Sequence, residues 1–151
     1  MANAMFYHLT QRPLDATLRM LLEKSLAADW RVAVRGTDEA GLRALDQALW
    51  LGAEDSFLPH GLAGGAHDAA QPILLGTGDV SANAPQCLMA VHSADVSVAE
   101  AQGLERVCIL FDDDDVPKAH ARTHWKTLTD AGIKAQYWSD QSGRWEMLRE
   151  A

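Results

Sequence analysis

Two histidines, His120 and His124, stand four residues apart in the stretch HARTH, and at that spacing two imidazoles on one helix can share a metal ion. A zinc protease of the HExxH type carries a glutamate after the first histidine, but Ala121 occupies that position here. No third ligand is evident nearby in the sequence. We therefore interpret both histidines as structural or surface residues and predict no metal site.

A serine and two histidines in a glycine-rich segment raise the possibility of nucleophilic catalysis. Ser56 could act as a nucleophile beside His60, and His67 follows in the same segment. Neither a GxSxG elbow nor an oxyanion loop accompanies them. The sequence therefore contains no assembled active site, and we predict no catalytic residues.

Two further motifs suggest nucleotide chemistry. In LLGTGD, Gly76 and Gly78 follow an apolar run, but the third glycine of a dinucleotide-binding turn is missing and no convincing helix follows. ILFDDDD resembles the strand and acidic pair that hold magnesium in P-loop NTPases, yet the chain has no GxxxxGK[ST] loop. We interpret acidic residues 112–115 as an N-terminal cap with favourable charge for the next helix. No cofactor is predicted, and a small nucleotide-binding α/β enzyme is the alternative function.

Lys118, Arg122 and Lys126 recur every four residues along a predicted helix and form a basic stripe in a chain whose net charge is −8. Trp125 lies between this stripe and the side expected to face the sheet. That side consists of Pro117, Ala121, His124, Leu128 and Ala131. Two interpretations are open: a solvated helix face with Trp125 half-buried, or a pocket for an acidic peptide. In the pocket, Trp125 would hold an apolar anchor while Arg122 and Lys126 hold carboxylates.

The elements that must position these residues alternate between short apolar runs and amphipathic stretches. Strands are predicted at residues 4–9, 30–36, 72–76, 86–92, 106–111, 134–138 and 144–148, and a helix stays an alternative for the last of these segments. Helices are predicted from Pro13 to residue 26, over residues 37–50 with Thr37 or Asp38 as N-cap, and over residues 116–131 before Gly132. Residues 57–71 read as a long ordered loop. This order predicts one Rossmann-like α/β domain over residues 1–151, with a largely parallel central sheet and helices on both faces.

The composition excludes several functional classes. A chain of 151 residues fits one domain, and no apolar run approaches the ~20 residues of a membrane span. The N-terminus lacks the features of a signal peptide, so we place the protein in the cytoplasm, away from membranes. The net charge of −8 opposes direct contact with phosphates, so nucleic acid is expected to be an indirect partner.

The two cysteines, Cys87 and Cys108, lie in separate apolar runs. Their spacing matches neither a CxxC redox motif nor a zinc pair. We predict that both are buried thiols.

Two segments carry a resemblance to a known family. LDQALWLGAEDSFLPHGLAG (residues 45–64) is similar to a segment of the chi subunit of bacterial DNA polymerase III that reads LD-x-x-LW, SF-x-PH and LAG. ARTHWK (residues 121–126) is similar to that family's late helix, where a tyrosine usually stands in the place of Trp125. The opening FYHL and the order of elements also agree, so the resemblance covers nearly the whole chain.

The resemblance implies a non-catalytic subunit of the clamp-loader complex that grips the acidic C-terminal tail of single-stranded DNA-binding protein, which ends in a phenylalanine. Carried onto this sequence, the tail contacts are Arg122, Trp125 and Lys126, with Lys118 and Phe111 as neighbours. These positions coincide with the basic stripe. Acidic residues 112–115 lie close in sequence and would repel an acidic peptide if they faced the pocket.

The resemblance also implies a second partner, the psi subunit, on the surface formed by Trp50, Phe57 and Pro59. Aromatic side chains often anchor such interfaces. Two alternatives stay open for this segment: the two rings staple the loop to the body of the protein, or they bind a partner other than psi.

Overall fold

Strands and helices alternate along the computed structural model, which describes residues 2–51 and 58–151. The strands are β1 (Asn3–Leu9), β2 (Val32–Gly36), β3 (His60–Leu62), β4 (Ile73–Thr77), β5 (Cys87–Ala90), β6 (Arg106–Asp112), β7 (Lys134–Ser139) and β8 (Glu146–Glu150). The α-helices are α1 (Leu14–Ala27), α2 (Glu39–Trp50), α3 (Val98–Gln102) and α4 (Asp115–Asp130), and a short 3-10 helix spans Asp68–Ala70. In this described part of the chain, no helix combines the length and apolar character needed to cross a membrane.

All described strands join one sheet in the order β3-β4-β2-β5-β6-β1-β7-β8. Every neighbouring pair is parallel except β7 and β8, which run antiparallel. Crossover connections, most of them helical, return the chain to the starting edge of the sheet, which is what parallel pairing requires. The predicted α/β fold with a largely parallel sheet is confirmed.

Alternate residues of the central strands point into two separate cores, because successive side chains of a strand leave opposite faces of the sheet. On one face, Phe6 and Ile109 pack with Leu128 of α4. On the other, Val34 and Leu110 pack against α1 and α2. Helices therefore cover both faces, as the sequence predicted, and the central strands are largely apolar because neither face meets water.

The helix ends follow local side-chain chemistry. Asp38 is the N-cap of α2, and its carboxylate accepts a hydrogen bond from the Gly41 amide. Gly132 follows α4 with φ of 86°, a left-handed conformation that glycine adopts without steric cost. Ala131 is exposed at the end of α4 and does not face the sheet as predicted, because the helix stops at Asp130 before completing that turn.

Two elements escaped the sequence prediction. β3 lies inside the segment predicted as a loop, where Gly61 pairs with Leu74 at the edge of the sheet. α3 is only five residues long and is held by a reciprocal capping box between Ser97 and Glu100. Both elements are too short to show a hydrophobic period, so tertiary pairing and local capping define them.

Cys87 and Cys108 are buried as free thiols, which confirms the prediction. A hydrogen bond with Cys108, followed by burial, raises the pKa of Cys87 well above its usual value. The Cys87 thiol is therefore protonated at neutral pH and unreactive.

Candidate functional site

A groove of about 550 Å³ lies on the α3/α4 side of the sheet, beside the exposed flank of α4. We call it the α4 groove. Its walls come from β1, β6, α4, β7 and β8, and consist of Phe6, Phe111, Lys118, Ala121, Arg122, Trp125, Tyr137, Leu148 and Arg149. Four of the five residues predicted to bind a tail, Phe111, Lys118, Arg122 and Trp125, are thus brought together in one concave site.

Trp125 belongs both to the core and to the groove. Its ring meets the ring of Phe6 edge-on, with centroids 5.2 Å apart and planes at 61°. The Arg149 guanidinium lies 5.4 Å from the centroid of the indole ring. The half-buried ring is therefore fixed by packing and also forms a wall of the groove. Half-burial of Trp125 and a pocket beside it are compatible, so the two interpretations drawn from the sequence do not exclude one another.

Three cations line the groove: Lys118, Arg122 and Arg149. Among residues 2–51 and 58–151, Arg122 makes no hydrogen bond or salt bridge, so its guanidinium is available to an incoming carboxylate. Arg149 was missed by the sequence reasoning. It lies on β8, and only the pairing of β8 with β7 carries it to α4.

Lys126 lies outside the groove lining. Its Nζ is 3.0 Å from a carboxylate oxygen of Asp130, one helical turn along α4, and 79% of its side chain is exposed. The three residues of the basic stripe therefore do not face the same way. Lys118 and Arg122 turn toward the groove, and Lys126 turns toward solvent.

An acidic side chain stands at the rim of the groove. The Asp113 carboxylate lies 3.6 Å from Nζ of Lys118 and 2.7 Å from Nε2 of His8. His8 stacks on Phe111 at 4.8 Å, and its Nδ1 makes a short hydrogen bond with the Tyr137 hydroxyl. The hydrogen bond from His8 lowers the pKa of Asp113, so this carboxylate is ionised beside the site at neutral pH.

The rest of the acidic run does not share this position. Asp112 ends β6 and Asp115 lies in the first turn of α4, where negative charge favours the helix. Asp114 occupies the N-cap position, but its side chain makes no capping hydrogen bond. The predicted cap is therefore present in position and charge without the expected side-chain bond.

A second surface surrounds the end of α2. Trp50 is 52% exposed, and its ring lies 4.2 Å, centroid to centroid, from the ring of His60. His60 is buried, with Nδ1 2.6 Å from the Leu58 carbonyl oxygen and Nε2 3.2 Å from the Asp46 carboxylate. Pro59 is half-buried beside it. Trp50 thus contacts the segment after α2 and still presents half of its surface to solvent.

Two residues named in the sequence analysis, Ser56 and Phe57, lie outside the described residues. The predicted role of Phe57 in psi binding therefore stays a prediction. His60, the base considered for Ser56, directs both ring nitrogens at oxygens of its own fold.

Close packing and backbone conformation explain the two glycines of LLGTGD. A Cβ at Gly76 would lie 2.9 Å from Ala63 and 3.1 Å from Val80, so the strand and its neighbouring loops approach too closely for a side chain. Gly78 makes a turn at φ of 68°. The described chain then runs through turns to β5 without a helix, so no helix N-terminus faces this turn.

The two spaced histidines meet a partner that the sequence reasoning missed. Asp95, from the loop after β5, lies 2.8 Å from Nε2 of His120 and 4.0 Å from Nε2 of His124. Burial lowers the pKa of His124, so that ring is neutral at neutral pH. A sequence separation of 25 between Asp95 and His120 gives no local spacing signal, and the fold brings the two residues together.

The comparisons with known proteins agree with the resemblance in the sequence. The family model described as DNA polymerase III chi subunit, HolC, matches residues 1–136. A search of curated proteins found no match. The matched range includes α4 and both sequence segments that carry the resemblance, and it ends before Tyr137, Leu148 and Arg149. The chain therefore belongs to the DNA polymerase III chi subunit family and has an accessory role in DNA replication.

Proposed function

We propose that this chain is a non-catalytic adaptor that links the DNA polymerase III clamp-loader complex, through the psi subunit, to the acidic C-terminal tail of single-stranded DNA-binding protein in the cytoplasm. The observation that carries the proposal is the α4 groove, a basic concave site with an aromatic wall in a chain of net charge −8. Such a local reversal of charge favours an acidic ligand.

The α4 groove offers both contacts that a tail ending in phenylalanine needs. The terminal ring fits against Trp125 with Phe111 and Leu148 nearby, where aromatic packing and apolar burial stabilise it. Carboxylates of the tail then reach Arg122, whose planar guanidinium can form two parallel hydrogen bonds with a carboxylate.

Lys118 and Arg149 add charge on either side of Trp125. We keep Lys126 as a peripheral contact, because its ammonium is paired with Asp130 and exposed to solvent. Nucleic acid is reached only through the protein whose tail is bound.

The psi-facing surface is proposed around Trp50 and Pro59, together with Phe57. The exposed half of Trp50, next to the 83%-exposed Leu51, provides the apolar area that an interface would cover. This surface is built on the α1/α2 side, whereas the α4 groove lies on the α3/α4 side of the sheet. One chain could then hold both partners at once.

Fluorescence anisotropy with labelled acidic peptides tests the tail site. A peptide ending in phenylalanine should bind clearly more tightly than the same peptide without it. Trp125→Ala should weaken the full peptide to a similar degree and add little to the loss of the phenylalanine, because both changes remove one contact. Trp30→Ala, on the α1/α2 side, is the matched tryptophan control and should bind normally. Equal affinities of the two peptides for the wild-type chain would refute the tail site.

A pull-down from the native lysate tests the adaptor role. The chain should recover single-stranded DNA-binding protein and a psi-like protein, and Trp125→Ala should lose the first while keeping the second. If single-stranded DNA-binding protein is recovered together with a protein other than psi, that protein would replace psi as the proposed partner at Trp50.

A further inference from the structure

Three metal-ligand side chains converge at a crevice whose lining shares no residue with the α4 groove. His120 and His124 come from α4 and Asp95 from the loop between β5 and α3, and one ligand atom of each lies within 4.8 Å of the others. The two imidazole rings are 4.3 Å apart, centroid to centroid. The set combines two nitrogen donors and one carboxylate oxygen, which is a donor set for Zn²⁺ and related divalent ions.

The crevice itself is where α/β sheets commonly bind ligands. It has a volume of about 590 Å³ and reaches the carboxyl ends of β2 and β4 at Gly36, Thr37, Thr77 and Gly78. β2 and β5 are neighbours in the sheet, but β2 leads to α2 on one face and β5 leads to α3 on the other. Ligands of open α/β sheets bind at such reversal points.

The hydrogen bonds of His124 fix which nitrogen can bind a metal. The Val96 amide donates to Nε2 at 3.1 Å, so Nε2 carries the lone pair. Nδ1 then carries the hydrogen and donates it to the His120 carbonyl oxygen at 3.1 Å. A backbone carbonyl in this role commonly orients metal-binding histidines. Nε2 is also the His124 ring nitrogen that lies 4.0 Å from a carboxylate oxygen of Asp95.

We propose that His120, His124 and Asp95 bind a divalent transition metal such as Zn²⁺, with a remaining coordination position open to the crevice. Zinc bonds of about 2.0–2.2 Å place two ligands of a tetrahedral site roughly 3.3 Å apart. The distances of 2.8 Å and 4.0 Å from Asp95 to the two histidines lie on either side of that value. The Asp95 side chain is 90% exposed, so it can move to equalise them.

Binding requires one exchange of partners within the fold. The metal takes the Nε2 lone pair of His124, so the Val96 amide loses its acceptor. The metal also replaces the hydrogen that His120 and Asp95 share. Because these bonds must be given up, we expect a micromolar site and not a tight structural one. Mg²⁺ should not compete, since it prefers oxygen ligands and retains its waters.

Isothermal titration of Zn²⁺ into the metal-stripped, tag-free full chain at neutral pH tests the proposal. One ion should bind per chain with micromolar Kd, and Mg²⁺ should show no binding. His120→Ala and Asp95→Asn should each weaken Zn²⁺ at least tenfold. The matched controls are His67→Ala and Asp79→Asn, which change exposed residues of the same types outside the cluster and should bind as the wild type does.

A second readout reports the geometry directly. The ¹H–¹⁵N resonance of Val96 should move during the Zn²⁺ titration, because its amide loses the His124 acceptor. The proposal is overturned if the wild-type chain shows no saturable binding, if both His120→Ala and Asp95→Asn bind normally, or if Zn²⁺ binds without moving the Val96 resonance.

Discussion

Asp113 already supplies a carboxylate to Lys118, with 3.6 Å between Oδ1 and Nζ, so this chain places its own anion where an acidic peptide would bind. His8 holds the same carboxylate at 2.7 Å and keeps it at the rim of the α4 groove. An incoming carboxylate must compete with Asp113 for Lys118. This arrangement is expected to limit the affinity for the proposed peptide, since Asp113 brings the charge of the acidic run to the rim of the groove.

Asp113→Asn should therefore strengthen binding of the acidic peptide. An exposed ion pair contributes little, so the expected gain is at most roughly fivefold, larger at low salt. Anisotropy titrations at two salt concentrations measure it. Asp15→Asn makes the same change of net charge on α1, on the other side of the sheet, and should leave the affinity nearly unchanged. Weaker binding by Asp113→Asn would show that the carboxylate supports the site.

Arg122→Ala should lower affinity most at low salt. A hydrogen bond to a charged group contributes about 1.5–3 kcal/mol, and its long-range part fades as the Debye length falls from ~10 Å at 0.1 M salt to ~3 Å at 1 M. The variant's salt dependence should therefore be flatter than that of the wild type. Trp125→Ala should instead weaken binding at every salt concentration, since apolar burial is not screened. Parallel salt curves for Arg122→Ala and wild type would contradict the charge contact.

Arg149→Ala should weaken the peptide more than Lys126→Ala does. Arg149 lines the groove over Trp125, and loss of its charge and stacking is expected to cost about 1 kcal/mol, or roughly fivefold. Lys126 is exposed and paired with Asp130, so its removal should change affinity by less than about 0.5 kcal/mol. The two variants remove one positive charge each and serve as controls for one another. If Lys126→Ala weakens the peptide more than Arg149→Ala does, Lys126 is a central contact of the site and Arg149 is not.

Trp50→Ala should release the clamp-loader partner while the tail peptide still binds. Removing an aromatic anchor costs about 2 kcal/mol or more, which corresponds to a roughly thirtyfold weaker interface. The fold should survive, because half of the residue is in solvent. Met147→Ala removes another exposed apolar side chain, on β8, and should keep the partner. Loss of the cooperative thermal transition in Trp50→Ala would assign the ring to the core.

Glu100→Gln should reduce stability at neutral pH and flatten its loss in acid. Two hydrogen bonds from Arg35, at 3.0 Å and 2.5 Å, lower the pKa of Glu100 from 4.5 to about 2. A lowered pKa means that the stabilisation is present above pH 4.5 and disappears as the pH falls through about 2. We expect about 1 kcal/mol at neutral pH, at the lower end for a charged hydrogen bond because 37% of the Glu100 side chain is exposed.

Urea unfolding of both proteins across this pH range measures the effect. The difference in free energy of unfolding should shrink as the pH falls from 4.5 to 2. The amide oxygen of glutamine can still accept the capping hydrogen bond from the Ser97 amide, whereas its NH2 group cannot accept from Arg35, so the comparison keeps the cap and removes the ion pair. If the difference in free energy of unfolding stays constant between pH 4.5 and 2, the ion pair is not its cause.

The order of strands and helices was readable from the sequence because hydrophobic periodicity is a local property. Nearly continuous apolar runs such as residues 106–111 marked strands covered on both faces, and the spacing of Lys118, Arg122 and Trp125 placed them on neighbouring faces of one helix. The family resemblance was also carried by contiguous residues, and the family match confirmed it.

Contacts between distant segments were decided only by the tertiary structure. Arg149 reaches Trp125 because β8 pairs antiparallel with β7, and Asp95 reaches His120 because the loop after β5 meets α4. Likewise, Asp113 reaches His8 because β1 and β6 are parallel neighbours. Sheet order depends on which strands bury their side chains together. This choice depends on packing across the whole chain, so no short stretch of sequence reveals it. The sequence alone thus determined most of the elements and the family, and folding determined the shortest elements and which charges share a site.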